Sequence, residues 1–447
     1  MGISSSLNAG VSGLNANANK LATISDNIAN SQTTGYKRAD VDFSSLAVSD
    51  NSTPNTIGGG RWFTAGGVRT SAVWDIEQKG QLATTSNSTD IAISGRGLLP
   101  VTSIASVDDT GQEMPLMLTS TGSFDTDANG YLRTSSGLTL LGWAANADGT
   151  IPDYPRDASS GLTPVKVNMS SVASDPTSKI ELKVNLPADE THVGSDGTVR
   201  TATTEYFDNL GASQTMSFEF TPTVPTSGTG SNTWTLNIVD QATGVSAGSY
   251  QVVFNNTSTN PGQVLSVTQL SGGTSPASST FDATTGKISM NLGDQAISVD
   301  IGIPGGQTNL TQLTSAFNQT SITSDGVGAG TFSGLTIDEN GILSAVYSTG
   351  YSRPIYQIPV ADVPNMDGLT VLDNQSFAIS RASGPLYLWD SGSGPAGSIQ
   401  GYSLEQSTTD IADELTQLIQ TQRAYSSNAK IIQTVDEMLQ ETTNLKR

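Results

Sequence analysis

One histidine, His192, stands close to Asp189, Glu190 and Asp196, a grouping that would supply acid/base chemistry near neutral pH. The chain has no cysteine, which removes thiol nucleophiles, disulfides and thiolate metal sites together. A Ser/His/Asp triad would therefore depend on His192, and a zinc site would depend almost wholly on carboxylates. The Gly and Thr around His192 read as an exposed loop, which gives the imidazole no shielded partner. Asp125-Thr126-Asp127-Ala128-Asn129-Gly130 begins like a calcium loop, but its twelfth position is Ser136 where a bidentate Glu is needed. Its flanks read as strands, so the expectation is a hairpin turn. Asn146-Ala147-Asp148-Gly149 and Asp338-Glu339-Asn340-Gly341 read as turns in the same way. Gly95-Arg96-Gly97 lacks the third Gly and the helix of a dinucleotide fingerprint, and Gly286-Lys287 is followed by Ile288 where a phosphate loop needs Ser or Thr. The expectation is no catalytic, cofactor or metal site, and no enzyme; an enzyme of unknown type, with His192 as its first acid/base route and a carboxylate pair as the other, is the third reading.

The composition agrees with that poverty of chemistry. Of 447 residues, 35% are apolar, 14% are charged and 46 are Gly, which favours β-rich, loop-rich structure in two to four domains. Lys plus Arg number 20 against 41 Asp plus Glu, so the net charge is 20 − 41 = −21 and a polyanionic partner is repelled. No nucleic-acid binding is expected. With no run of about 18 apolar residues, no membrane insertion is expected either. The start of the chain has no basic residue before Lys20 and no continuous apolar stretch, unlike a general secretory signal peptide. Gly2 and Ser6 fit the loose N-myristoylation pattern, which is too short to carry weight.

Periodicity divides the chain into two helical ends and a β-like middle. Leu7, Val11, Leu14, Ala18, Leu21, Ser25 and Ile28 step by four and three. So do Ile411, Leu415, Leu418, Gln422, Tyr425, Ala429, Ile432 and Leu439, while Ile431, Val435, Met438 and Leu445 form a second stripe. One partner cannot cover both stripes. The spacing predicts helices over 5–30, about 39 Å long, and 404–445, about 63 Å long, so an intramolecular hairpin leaves the longer one overhanging. The first helix is rich in Asn, Ser and Gly, with weak helix propensity, and should order only when neighbours supply surface. In the middle, Ile180 to Leu186 and Ile297 to Ile303 alternate as half-buried strands, and 215–220, 233–239 and 250–254 have similar character. Gly, Pro, Ser and Thr clusters separate them at 222–231 and 271–279. Linker-like composition lies at 51–60 and 391–398.

With both ends in view, Ser25-Asp26-Asn27-Ile28-Ala29-Asn30-Ser31-Gln32-Thr33-Thr34-Gly35-Tyr36-Lys37 closely resembles the N-terminal signature of bacterial flagellar rod and hook proteins. Asp410 to Leu415, Gln422-Arg423-Ala424-Tyr425, Asn428-Ala429-Lys430 and Asp436 to Leu439 resemble its C-terminal half. Asp90 to Gly97, Gly122 to Asp125, Leu140-Leu141-Gly142-Trp143 and Ala345-Val346-Tyr347 with Gly350 also fit. Roughly half the chain is covered. The large insertion after the Leu-Gly-Trp motif, with Tyr206 to Gly211 and Trp234, is similar to hook proteins in particular. Thr408-Thr409 and Thr119-Ser120-Thr121 depart from the usual pattern.

The resemblance implies a mainly β, nested multi-domain axial protein with paired terminal α-helices. Its expected parts are an N-terminal helical segment 1–32, a connecting segment 33–75, an inner β domain 76–145 with 305–402 carrying a hinge, an outer β domain 146–304, and a C-terminal helix 403–447. It implies an extracellular, structural subunit of the flagellar hook that polymerises into a curved flexible tube and transmits torque as a universal joint. The implied partners are further copies of the chain, the distal rod protein, the hook–filament junction protein, the hook cap and the flagellar type III export apparatus. Expected self-assembly positions are Leu7, Val11, Leu14, Leu21, Ile28, Ile411, Leu415, Leu418, Tyr425, Ile432 and Leu439. The signature residues carried over are Asn27, Ala29, Asn30, Thr34, Gly35, Tyr36, Arg423 and Asn428. The competing class is an exported β-rich adhesin or carbohydrate-binding protein, disfavoured because both ends carry assembly-type signals.

Overall fold

The computed structural model describes residues 3–47, 65–107, 114–146, 149–258, 260–306 and 309–444. The run 51–60 expected as a linker, the Gly2 pattern and Leu445 lie outside them. Two units are distinguished, one comprising 1–169, 334–345 and 353–447, the other 170–333 and 346–352. The dividing points fall at 169/170 and 333/334, where the sequence places them at 145/146 and 304/305. Residues 146–169 join the first unit because Leu162–Pro164 pairs with Leu138–Ala144 and Val165 donates its N–H to Leu140. Residues 310–324 join the second because Leu310–Leu313 and Asn318–Ser324 both pair with Lys179–Pro187.

The described residues of the second unit are strands and loops, apart from the short helical turn Ala188–Thr191. Ser213–Pro222, Thr233–Asp240 and Val245–Phe254 form where alternation places them, within an antiparallel five-stranded sheet that Arg200–Phe207 and Val264–Ser271 complete. A six-stranded sheet is built around Lys179–Pro187, which runs parallel to Gln295–Asp300 and Leu310–Leu313. Leu182, Val299, Phe218, Trp234 and Tyr250 belong to one buried cluster shared by both sheets, the packing that a period of two makes possible. The alternation outruns its strand at one end: the strand ends at Asp300, Ile301 is buried and Ile303 is exposed.

In the first unit Leu138–Ala144, Leu99–Ser103, Met117–Thr119, Ser376–Ala378 and Thr370–Val371 are adjacent strands in that order. Leu118, Leu141, Trp143, Val363 and Phe377 share its core. Two turn readings hold: Asp127 Oδ1 accepts from the N–H groups of Asn129 and Tyr131, each at 2.8 Å, between the paired strands Asp125–Thr126 and Leu132–Arg133, and Asp338 Oδ1 accepts from Asn340 and Ile342; Ala147 and Asp148 of the third lie outside the described residues. Gly392 donates its N–H to Gly397 and Gly397 to Arg96, while Ser391 binds Glu339 and Ile399. The 391–398 run is thus a pinned loop inside this unit, not a boundary, because its Gly and Ser backbones serve tight turns.

The two long helices also belong to this unit. They span Ile3–Ala29 and Ile411–Asn444, 27 and 34 residues, hence about 40 and 51 Å. The second begins at Ile411 rather than 404 because Ser403–Glu405 is a strand paired with Leu82–Thr84 and Asp410 caps the N–H of Ala412 at 2.9 Å. Among the described residues no helix is long and apolar enough to cross a membrane. The 33–75 segment supplies an antiparallel ribbon, Ala39–Ala47 with Ala65–Trp74, that the sequence reading did not anticipate. The ribbon lies along the first helix, where Asn19 binds Thr70 and the Ser12 hydroxyl accepts from the Val68 N–H. Part of the surface that orders this low-propensity helix therefore comes from its own chain.

Candidate assembly site

The helices pack antiparallel. A Cβ on Gly10 would come within 3.2 Å of Ile432 and one on Gly13 within 2.9 Å of Asn428, while Asn27 reaches Glu414. The inward line of the C-terminal helix is Glu414, Thr421, Asn428 and Val435, a seven-residue step that is polar at three of four positions. From the N-terminal helix Ala16, Ile24 and Asn27 are buried. The expected seam is displaced accordingly: Leu7, Leu14, Leu21, Ile28, Leu418 and Ile432 are half-buried, whereas Val11, Ile411, Leu415, Tyr425 and Leu439 are exposed. Small and polar residues let the helices approach closely, and much of the apolar surface is left facing outward.

At the foot of the pair lies a buried polar anchor that joins the two signatures. Asn27 donates to the Ala39 carbonyl at 2.8 Å, accepts the Ala39 N–H at 3.1 Å and donates to Glu414 Oε1 at 3.1 Å. Arg38 Nε donates to the same Glu414 oxygen at 2.5 Å, and Glu414 is 0% exposed. Burial works to lower the Arg38 pKa, but this bond holds it above its usual value. Lys37 Nζ donates to Glu405 Oε1 and to the Gln78 carbonyl, both at 2.7 Å, with side-chain exposures of 1% and 4% for the ion pair. Glu405 also accepts the N–H groups of Gly80 and, on its carbonyl, Gly35. Ion pairs this dry cost desolvation to form, and losing one partner strands a charge.

The remaining signature residues divide between anchor and surface. Tyr36 Oη donates towards Asp26 and Asn27, each at 3.1 Å, and burial, then Asp26, pushes its pKa well up. Gly35 has φ +72°, and a Cβ there would meet the Ser120 carbonyl at 2.8 Å, so the position requires glycine. Asn30 closes the helix end against Asp26, Thr34 lines a polar cleft with Gln78 and Thr408, and Ala29 and Arg423 are exposed. The sequence departures work locally: Thr408 accepts the Arg38 N–H at 2.8 Å and Ser120 binds the Gly35 carbonyl. Lys37 and Glu414 stand within the terminal motifs, which give neither a role, and Arg38 and Glu405 lie outside them. The available signal was charge placed beside the Gly35 turn in a chain only 14% charged, and the period 414, 421, 428, 435.

Lys79 lines the same cleft. Burial, then repulsion from Lys37, lowers its pKa from 10.5 to about 8, and its Nζ donates to the Gly97 carbonyl at 2.9 Å. A lysine with a depressed folded-state pKa binds fewer protons folded than unfolded between about 8 and 10.5, so stability rises with pH across that window. Below it the full cost, about 3 kcal/mol, is present. Urea unfolding of wild type and Lys79→Met from pH 7.5 to 10.5 should show the wild type gaining on the variant as pH rises. Tyr36, which acts oppositely above pH 10, cancels in that difference; a pH-independent difference would contradict the shift.

Elsewhere chemistry is sparse. His192 is exposed just after the short helical turn Ala188–Thr191, and Arg96 of the Gly95-Arg96-Gly97 run is taken up by Asp362 and Glu77. Gly286 closes the hairpin turn between Ala277–Asp282 and Lys287–Leu292, and Lys287 opens the second strand. Among the described residues no group of three or more His, Cys, Asp or Glu side chains is placed to hold a metal ion.

Comparison with known proteins places both halves of the anchor in one lineage. Residues 7–37 match the family model described as flagella basal body rod protein, and 399–445 match the flagellar basal body rod FlgEFG protein C-terminal model. The flagellar hook protein FlgE of Rhizobium meliloti is 32% identical over 452 residues, covering 100% of both chains. That of Brucella abortus is 32% identical over 444 residues, 98% of each, and that of Caulobacter vibrioides 27% identical over 613 residues, 100% of each. A crystal structure of Helicobacter pylori flagellar hook protein FlgE2 overlaps 72% of this chain and 100% of that one at 14% identity, with TM-score 0.48. Full-length similarity, together with terminal signatures that fold into one buried anchor, means that the chain belongs to the flagellar hook protein family.

Proposed function

We propose that this structural subunit of the extracellular flagellar hook polymerises into a flexible curved tube through its terminal helix pair. The observation that carries the reading is the outward apolar surface of the C-terminal helix, where Ile411, Leu415, Ile419, Tyr425, Met438 and Leu439 are exposed although the helix already has a partner. Burying such a surface against other copies is favourable by roughly 25 cal/mol per Å². The buried anchor fixes the pair's foot, so each subunit presents the surface in one geometry. Weak polar contacts by the Thr- and Ser-rich strands of the second unit would let subunits slide as the tube bends while the helices carry torque. Its ends would meet the distal rod protein and the hook–filament junction protein, with the hook cap guiding growth and the type III apparatus delivering chains. The contrary adhesin reading has no support in the relatives.

The test is electron microscopy of a strain whose own hook gene is replaced by this one. Curved tubes on basal bodies are expected. Secreted chain accompanied by basal bodies that end at the rod would sink the reading.

A further inference from the structure

We propose that the Lys287 ammonium of one copy of the chain seats in the cavity over Asp240 of a second copy and joins their second units head to tail; the proposal rests on the assembly reading above. The cavity, of about 270 Å³, lies in the second unit where the strands Thr233–Asp240 and Lys287–Leu292 end and Gln295–Asp300 begins. Asp240, 4% exposed, stands in its wall. Its Oδ1 accepts the Tyr206 hydroxyl and the Ala242 N–H, each at 3.0 Å, and its Oδ2 accepts the Thr243 hydroxyl at 2.6 Å. All three donors are neutral, and burial, then the bond to Asp240, raises the Tyr206 pKa, so the phenol keeps its proton. The second carboxylate of the lining is Asp208, and among the described residues no Lys, Arg or His lines the cavity. Hydrogen bonds thus satisfy the geometry of Asp240 and leave its charge buried without a counter-charge, which a cation brought in from outside supplies. Tyr206, Val245, Pro276 and Leu292 offer apolar wall to the stem of that cation, so a lysine side chain suits the cavity better than a bare ion.

The ladder selects the lysine. The Lys and Arg side chains of the second unit are Lys179, Lys183, Arg200 and Lys287. Lys183 is paired with Glu181 and Arg200 with Glu190, while Lys179 stands beside Ser298, midway along Gln295–Asp300. Lys287 lies at the end remote from the cavity: Leu292 stands opposite Gln295 and Ala277 at one end of the ladder, and Lys287 opposite Asp300 and Asp282 at the other, about 17 Å away. Both of those carboxylates are taken up by their own turns, Asp282 by Thr284 and Thr285 and Asp300 by Gly302 and Asn309. Among the described residues Lys287 therefore has no ion-pair partner. A free cation and an uncompensated carboxylate at opposite ends of one ladder are two different patches, and contact between different patches repeats from copy to copy as an open row, whereas a patch meeting its own twin closes as a dimer.

Ala242 lines the cavity, Ala283 sits in the turn before Lys287, and both are exposed. The chain has no cysteine, so full-length Ala242→Cys and Ala283→Cys proteins can be mixed, assembled, pelleted and treated with a short bis-maleimide. Covalent dimers holding one of each variant are expected at roughly ten times their level in the unassembled mixture. Lys287→Ala and Asp240→Asn should each raise the critical concentration about ten-fold, and the double variant should be no worse than either alone, because one change already removes the contact. Where Asp240→Asn melts early through loss of its own turn, Lys287→Ala and the cross-link decide alone. Polymer without mixed dimers, a wild-type threshold for Lys287→Ala, or additive losses in the double variant would each overturn the pairing. Leu415→Asp separates the two levels: if it blocks polymerisation while mixed dimers are missing, only the Lys287 contact is wrong. If Leu415→Asp assembles as wild type does, the assembly reading falls instead.

Discussion

Glu405→Ala should lower the unfolding midpoint of the unit that contains the helix pair by about 10 °C, the consequence of losing about 3–5 kcal/mol. The change removes the carboxylate that accepts from both Lys37 and the Gly80 N–H, each at 2.7 Å, and leaves the Lys37 ammonium, 1% exposed, facing only the Gln78 carbonyl. Lys37→Met is expected to be nearly as costly, since it strands the carboxylate instead. The double variant Lys37→Met/Glu405→Ala should lose clearly less than the sum of the single changes, because neither unpaired charge remains. Residues 37 and 405 lie 368 positions apart, so the pair ties one end of the chain to the other. Strands of the second unit make none of these bonds, and its transition should stay in place. Calorimetry of the four proteins reads all of this at once. Additive losses in the double variant would mean that water reaches the pair and the anchor is not dry.

The second large effect concerns assembly without stability. Leu415 and Ile419 are 48% and 51% exposed, so replacing either by Asp should leave the thermal transitions of the soluble chain within about 1 °C of wild type. In a polymer that covers the outward apolar surface of this helix, each change forfeits about 1 kcal/mol of remaining apolar burial and adds the several kcal/mol of desolvating an unpaired carboxylate. A loss of about 3 kcal/mol per subunit raises the critical concentration roughly a hundredfold. In the cell the outcome is exported chain without hooks. Leu418→Asp is a poorer probe, because Leu418 is half-buried within the subunit and its loss would loosen the helix pair as well. Sedimentation of wild type, Leu415→Asp and Ile419→Asp across a concentration series decides the matter. Variants that pellet at the wild-type threshold would remove this surface from the assembly interface.

What the sequence determined by itself was local and periodic. Alternation at 180–186 and 233–239 suffices to specify strands, since a half-buried strand needs little more than a period of two. The steps of four and three at each end specify helices, and the Asn27 to Lys37 and Asp410 to Leu415 motifs specify the family. The tertiary structure decided which face of each helix is used. Heptad spacing puts Leu415 and Leu418 on one seam, yet the inward line runs through Glu414, Thr421 and Asn428, because Gly10 and Gly13 admit close approach and Glu414 Oε1 accepts from Asn27 and Arg38. Tertiary structure also decided where the second helix starts, since Ser403–Glu405 is claimed by a strand whose partner, Leu82–Thr84, lies far away in the chain. The ribbon escaped notice for a similar reason: Ala39–Ala47 carries a weak alternation and its mate begins only at Ala65. Long-range pairing leaves no periodic trace in either segment alone. The ion pairs of Lys37 with Glu405 and of Arg38 with Glu414 join residues 368 and 376 positions apart, and a charge's partner is set by the geometry of folding rather than by its neighbours in sequence.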